Sequence, residues 1–393
     1  MKKLIALLTC VISVQILNSP QVAVAGSPLQ IRDTMRTIER LQDAAVHGDE
    51  ESMKFVSKLM TQIETDIATS VDEKLSDQKN TRAIIVYLLS GGNPNLIEKS
   101  FRNAKVHKSI NLLFSGSLAY ANGEKEVALS KLSEVSKADL PTNITGRLLL
   151  IQAILISEKD PKAALSLLNQ ASSLMPGTIV DEGSRRRCVA YAAKSHDTER
   201  FKVCSSVYIR NFQKSQYWKE FAADFLSYAA TFGEEKPPLY SNWLLPTLED
   251  LPTQTQVDML LSMAKIALLR GNFSIANLCG SRVALTASDG SVERSRALLY
   301  SGSAMLGLDQ VELGGKRLKQ VDTSLLDQQD ADLLEKAKNM FVQITADAKT
   351  TKSEQVMDLP QVQSGNFQAY EALVVRAQKV LQELSGNKKI AGN

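Results

Sequence analysis

The stretch "INLLFSGSLAYANGEKEVALSKLSEVSKADLP", residues 110–141, reads as helix, turn, helix, stop, and the segment after it repeats the plan. In the first unit Gly116 is the small residue where a second helix packs closely and Gly123 is the turn. Ala128 is the small contact on the second helix, and Pro141 is the stop. In "GRLLLIQAILISEKDPKAALSLLNQASSLMPG", 146–177, the plan returns with Ala164, Leu168, Ala171 and Pro176. From Ala128 to Ala164 the period is 36, close to the roughly 34 residues of tetratricopeptide repeats. A lone hairpin of this size cannot bury its apolar face, so its neighbours must stack on it.

That constraint organises the rest of the chain. A degenerate third unit runs from Asp181 to Asn211, and the proline-broken stretch "EEKPPLYSNWLLPTLEDLPTQTQ" follows it. The plan then returns in "VDMLLSMAKIALLRGNFSIANLCGSRVAL", with Gly271 as turn and Ala276 as small contact, and "RSRALLYSGSAMLG" begins another hairpin. Helical periodicity dominates and no hairpin signature between alternating strands occurs. The expected fold is all-α: a helical-hairpin, tetratricopeptide-like solenoid with an N-terminal helical segment and a C-terminal helical extension. Its expected divisions are a signal peptide at 1–25, an N-terminal helical region at 26–105 and a repeat region at 106–232. A Pro-rich connector at 233–256 and a second repeat region at 257–346 follow. The last division, 347–393, is a polar linker, one amphipathic helix "FQAYEALVVRAQKVLQEL" and a loose tail; the helix reads as a solenoid cap or a docking element.

The N-terminus predicts export. Lys2 and Lys3 precede the largely apolar Leu4–Leu17, and Ala23 and Ala25 stand at the small-residue positions of a cleavage site between Ala25 and Gly26. Thr9, Ser13 and Gln15 interrupt the run, which is too short for a span of about 20 apolar residues. A lipoprotein reading at Cys10 suffers from Thr9 and from a short apolar core ahead of it. Removing Lys2 and Lys3 takes the formal charge from +3 to +1, a field too weak to hold nucleic acid or an anionic membrane. No later segment is long and apolar enough to span a bilayer, and the 44% hydrophobic content suits a large core divided over two or three units. Beyond the leader lie Cys188, Cys204 and Cys279, an odd number. Cys188 and Cys204 flank the turn "KSHDTER" symmetrically. They can form one disulfide in an oxidising compartment or pack as two small core residues.

Chemistry-bearing patterns mostly dissolve into helix punctuation. "RAIIVYLLSGGNPNLIEKS", 82–100, suggests a phosphate loop, but that motif needs glycines where Asn93 and Glu98 stand. It reads instead as a corner. Gly91 closes one helix, Asn93 caps the next and Pro94 takes its first position. His47, His107 and His196 fall in no metal-ligand spacing. Ser195-His196-Asp197 names a hydrolase triad, yet three adjacent residues point different ways. Glu51-Ser52 suggests a lytic transglycosylase, but no Gly-Leu-Met-Gln follows, and Asp49 marks a helix start. No catalytic residue, cofactor or metal is therefore expected. Arg185, Arg186 and Arg187 are the dense charge cluster: a solvated helix face or a patch for an acidic partner. Tyr217 and Trp218 open an aromatic run at helical spacing, as core or as binding groove.

Four segments together resemble the MotC family of periplasmic motility proteins of alphaproteobacteria. They are "IERLQDAAVHGDEESMKFVSKLM" (38–60), "NTRAIIVYLLSGGNP" (80–94), "DPKAALSLLNQASSLMPGTIVDEGSRRR" (160–187) and "ERFKVCSSVYIRNFQKSQY" (199–217). The resemblance spans roughly residues 30 to 230, and the signal peptide fits it. Gln213 departs from an expected proline, which loosens the corner before Ser215. The resemblance implies a non-catalytic periplasmic accessory of the flagellar motor, needed for rotation. It also implies binding to the periplasmic part of the stator protein MotB, and the repeat solenoid at about 106–232 is the expected binding face. The competing readings are an envelope assembly or scaffold protein unrelated to motility and a peptidoglycan-acting lytic enzyme.

Overall fold

The computed structural model describes residues 31–231 and 242–354, so the signal segment with its Ala25–Gly26 junction and the terminal helix fall outside the described residues. An N-terminal group comprises α1 (Ile31–Val46), α2 (Glu50–Ala68), α3 (Asp72–Ser76), α4 (Gln78–Leu89) and α5 (Pro94–Ser100). Three hairpins follow: α6 (Lys108–Ala121) with α7 (Lys125–Ser133), α8 (Thr142–Ile156) with α9 (Pro161–Leu174), and α10 (Ile179–Lys194) with α11 (Thr198–Phe212). After α12 (Trp218–Ala229) and α13 (Leu244–Glu249) come α14 (Thr253–Leu269) with α15 (Phe273–Thr286), then α16 (Val292–Gly307) with α17 (Val311–Lys319). The long α18 (Gln328–Glu354) packs on α16 and α17. The fold is all-α, and no strand occurs among the described residues. Successive hairpins stack, α9 on α10 and α15 on α16.

Four hairpin turns share one hydrogen-bond pattern. A residue in the left-handed region stands at each: Gly123 (φ 80°), His196 (φ 55°), Gly271 (φ 82°) and Asp309 (φ 60°). The next N–H donates to the carbonyl five residues back: Glu124 to Ala119 (2.9 Å), Asp197 to Ala192 (2.8 Å), Asn272 to Ala267 (2.9 Å) and Gln310 to Met305 (2.9 Å). This closure satisfies carbonyls that a helix end leaves open. Asp197 and Asn272 then cap the following helices, accepting from the N–H of Arg200 and of Ile275. Ser195-His196-Asp197 is thus a hairpin turn. The corner at "LLSGGNP" has the same logic: Gly91 is left-handed (φ 91°), Asn93 accepts from Leu96 N–H and Pro94 is the first helical residue. Gly92 sits there because a Cβ would fall 2.3 Å from the Tyr87 ring. The Tyr87 hydroxyl accepts from Asn93 N–H (2.8 Å) and donates to Glu64 (2.9 Å).

Close approach inside the hairpins follows the small residues. Ala128, Ala164 and Ala276 are fully buried, and a Cβ on Gly116 would lie 2.6 Å from a Leu132 methyl. Among the described residues the two larger apolar clusters run from Ile31 to Ile151 and from Val46 to Ala337, with a small third one at Leu149, Ala171 and Val180. Helix α1 belongs to both: Ile31, Met35 and Ile38 enter the first, and Val46 the second. Polar contacts fix it across the hairpins. Glu39 forms an ion pair with Arg147 (3.0 Å) and accepts a hydrogen bond from Asn143 (3.0 Å), both on α8. Asp43 accepts from Ile179 N–H (2.9 Å), the start of α10, and His47 Nε2 lies 2.7 Å from the Gly177 carbonyl oxygen.

Candidate functional site

Consecutive helical residues lie about 100° apart, so three adjacent arginines cannot form one face. The structure divides them accordingly. Arg185 Nε donates to Asp181 (3.2 Å) and its side chain lines a groove of about 300 Å³ beside Cys188, Asp197 and Arg200. Arg186 Nε donates to the buried Glu182 (3.0 Å), and its guanidinium lies 4.6 Å from the Tyr217 ring centre. Arg187 donates to the Gly183 carbonyl (3.2 Å), and burial, then the charge of Arg186, pulls its pKa down. Arg185 and Arg186 are thus paired with carboxylates within their own helix, which leaves less charge for a partner than the sequence suggests.

The structure does bring Arg186, Tyr217 and Trp218 together, around Glu182. The Tyr208 hydroxyl donates to Glu182 Oε1 (2.7 Å), and burial, then Glu182, pushes its pKa up. The Tyr208 ring stacks on Phe221 at 4.0 Å and faces Trp218 at 6.3 Å. An analogous knot ties the second half. The buried Asp330 accepts from Lys265 (2.8 Å) and Tyr300 (2.9 and 2.8 Å), with Arg296 Nε 3.0 Å away but not aligned for a hydrogen bond. Cys188 and Cys204 are joined by a disulfide, with Cα atoms 6.1 Å apart, across α10 and α11.

The remaining sequence candidates stay apart. His47 stacks on Phe212 at 5.8 Å, the His107 ring caps α6 and His196 occupies its turn. Among the described residues no grouping of His, Cys, Asp and Glu could hold a metal. Glu51 is two-thirds exposed and pairs with Lys54 (2.5 Å), unlike the enclosed acid that glycoside cleavage requires. Among the described residues no helix is long and apolar enough to cross a membrane.

One feature escaped sequence reading. A cavity of about 330 Å³ opens between α1, α4 and the start of α8. Arg32 and Arg36 on α1 and Lys79 and Arg82 on α4 line it, and Met35, Ala83, Val86 and Ile144 supply apolar wall. Arg32 pairs with Asp33 (2.9 Å), while Arg36, Lys79 and Arg82 have no ion-pair partner among the described residues. The Arg82 Nε is buried with no acceptor. The available signal was like charge at helical spacing, i and i+4 on one helix and i and i+3 on the next, an arrangement that isolated helices disfavour.

A family model described as "Chemotaxis protein MotC" matches residues 1–389. The curated chemotaxis protein MotC of Rhizobium meliloti (strain 1021) is 25% identical over 307 residues, covering 77% of this chain and 70% of that protein. No solved structure matches the chain.

Proposed function

The chain belongs to the MotC family, and from that premise we propose that it is a non-catalytic periplasmic accessory of the flagellar motor. In this reading it binds and stabilises the periplasmic part of the stator protein MotB, and rotation depends on it. The family match over residues 1–389 carries the reading and gives a motility-related role. The architecture supports the rest. Stacked, tetratricopeptide-like hairpins present extended surface for another protein. Glu182 Oε1 and the Asp330 carboxylate accept from arginine, lysine and tyrosine heads, which supports a packing role, while Glu182 Oε2 has no hydrogen-bond partner. The contacts of α1 with α8 and α10 support a docking surface that takes in the N-terminal helices as well as the repeats at 106–232.

The test is a periplasmic pulldown with a tagged copy in a deletion strain, scored beside swimming. We expect the deletion to lose motility, the copy to restore it, and the stator protein to be recovered. A deletion strain that swims normally and yields no stator protein would sink the proposal. Release of muropeptides from peptidoglycan by the purified protein, abolished by Glu51→Gln, would replace it with an enzyme.

A further inference from the structure

We propose that the cavity between α1, α4 and α8 is the docking pocket for an acidic segment of the partner, one that alternates carboxylate and apolar side chains. This rests on the proposed role as a protein-binding accessory and assigns it a site. Four cations face the cavity against one carboxylate, Glu39. Glu39 is already committed to Arg147 and Asn143. The nearby Asp33 is held by Arg32, and Asp77 caps α4 by accepting from the N–H of Lys79 and Asn80. Arg36 and Lys79 are exposed and Arg82 is half-buried, and none of the three cations is neutralised by an ion pair among the described residues.

The buried Arg82 Nε is the sharper observation. A buried donor with no acceptor is costly, and a ligand oxygen is one way to supply what is missing. Guanidinium groups present a planar fork that a carboxylate fills with two parallel hydrogen bonds. Met35, Ala83, Val86 and Ile144 lie among these forks and give apolar side chains a place between the charges. The volume fits a few side chains, at the small end of ligand pockets. A nucleic-acid backbone needs a long basic track, and this chain's formal charge is only +3.

The probe is a fluorescein-labelled Asp-Leu-Asp-Leu-Asp-Leu peptide titrated against the purified full chain by anisotropy. We expect saturable binding that weakens with salt. The pair Arg36→Gln with Arg82→Gln should weaken it about tenfold, whereas Arg40→Gln, outside the cavity, should leave it unchanged. Arg36→Gln alone, at an exposed position, tests the site if the double variant folds poorly, and should weaken binding a few-fold. Absence of binding, equal binding of the Asn-Leu analogue, or wild-type affinity in these variants overturns the assignment. Displacement by peptidoglycan stem peptides at equal concentration also overturns it, making the cavity a wall site. If the wild-type protein captures the stator partner and the double variant captures it equally, the pocket fails while the proposed function stands. If the wild type captures nothing, the proposed function itself fails.

Discussion

Replacing Glu182 by alanine should destabilise the middle of the molecule by about 3 kcal/mol. Its carboxylate is fully buried and accepts from Tyr208 (2.7 Å) and Arg186 (3.0 Å). Removing one member of a buried ion pair costs about 3–5 kcal/mol, because the other charge is stranded. The low end applies here, since Arg186 keeps Tyr217 at 4.6 Å and can turn to Glu220, 3.7 Å away. Tyr208→Phe, which removes one hydrogen bond to a charged group, should cost about 1.5–3 kcal/mol. The double variant should cost less than the sum of the two, with a coupling of about 1–2 kcal/mol. Urea titration by intrinsic fluorescence is suited to the question, because the protein's two tryptophans both report on this region. Trp218 contacts Phe221 at 5.3 Å, and Trp243 contacts Phe201 at 5.9 Å, in the same aromatic stack. A loss below about 1 kcal/mol for Glu182→Ala, or additivity within about 0.5 kcal/mol, would refute the buried knot. Arg186→Gln separates packing from recognition. Partner capture lost at unchanged stability would show that this arginine serves the partner instead.

Four further outcomes follow from the packing. Replacing Cys188 and Cys204 together by alanine should cost about 3 kcal/mol, the entropy of a closed loop of sixteen residues, read as the difference in urea midpoints. The Cys279 thiol, pushed up to about 12 by burial, should react with a thiol reagent at pH 8 only on unfolding; rapid native labelling would contradict its placement. Gly92→Ala should cost about 1–3 kcal/mol, because its Cβ meets the Tyr87 ring, and thermal melting measures that loss. On the alkaline side, burial foremost pushes Tyr87 up to about 12, above the ordinary value near 10. The unfolded chain therefore releases this proton first, so the stability it contributes below pH 10 is lost as pH rises toward about 12. Tyr87→Phe should flatten that decline in pH-dependent urea midpoints, and an unchanged slope would refute the assignment.

What the residues disclosed in advance was local. Gly123, Gly271 and the Gly91–Pro94 corner act through neighbours a few positions away, and Gly116 meets Leu132 on the next helix of its own hairpin, so the sequence places these neighbours in order. The Arg185–Arg187 cluster was misleading for a reason that is also local. Asp181 and Glu182 stand four residues earlier, one helical turn away, and are the acceptors for Arg185 and Arg186. The cationic cavity was out of reach because its walls come from three separated segments. No periodicity reveals that Arg36 and Arg82 face one space, or that Tyr87 reaches forward to Asn93 and back to Glu64.

The course of α1 also sets a timetable for folding. Its Asp43 contact with Ile179 spans 136 residues. A contact this distant in sequence is entropically costly to close, so it forms only after an interval in which the local hairpins are already in place. During that interval Ile31, Met35 and Ile38 have only α2, α4 and their neighbours as shelter. The first of the described helices is thus among the last to reach its final partners. Pulse labelling during refolding of the purified full chain should find α1 protected no earlier than α10.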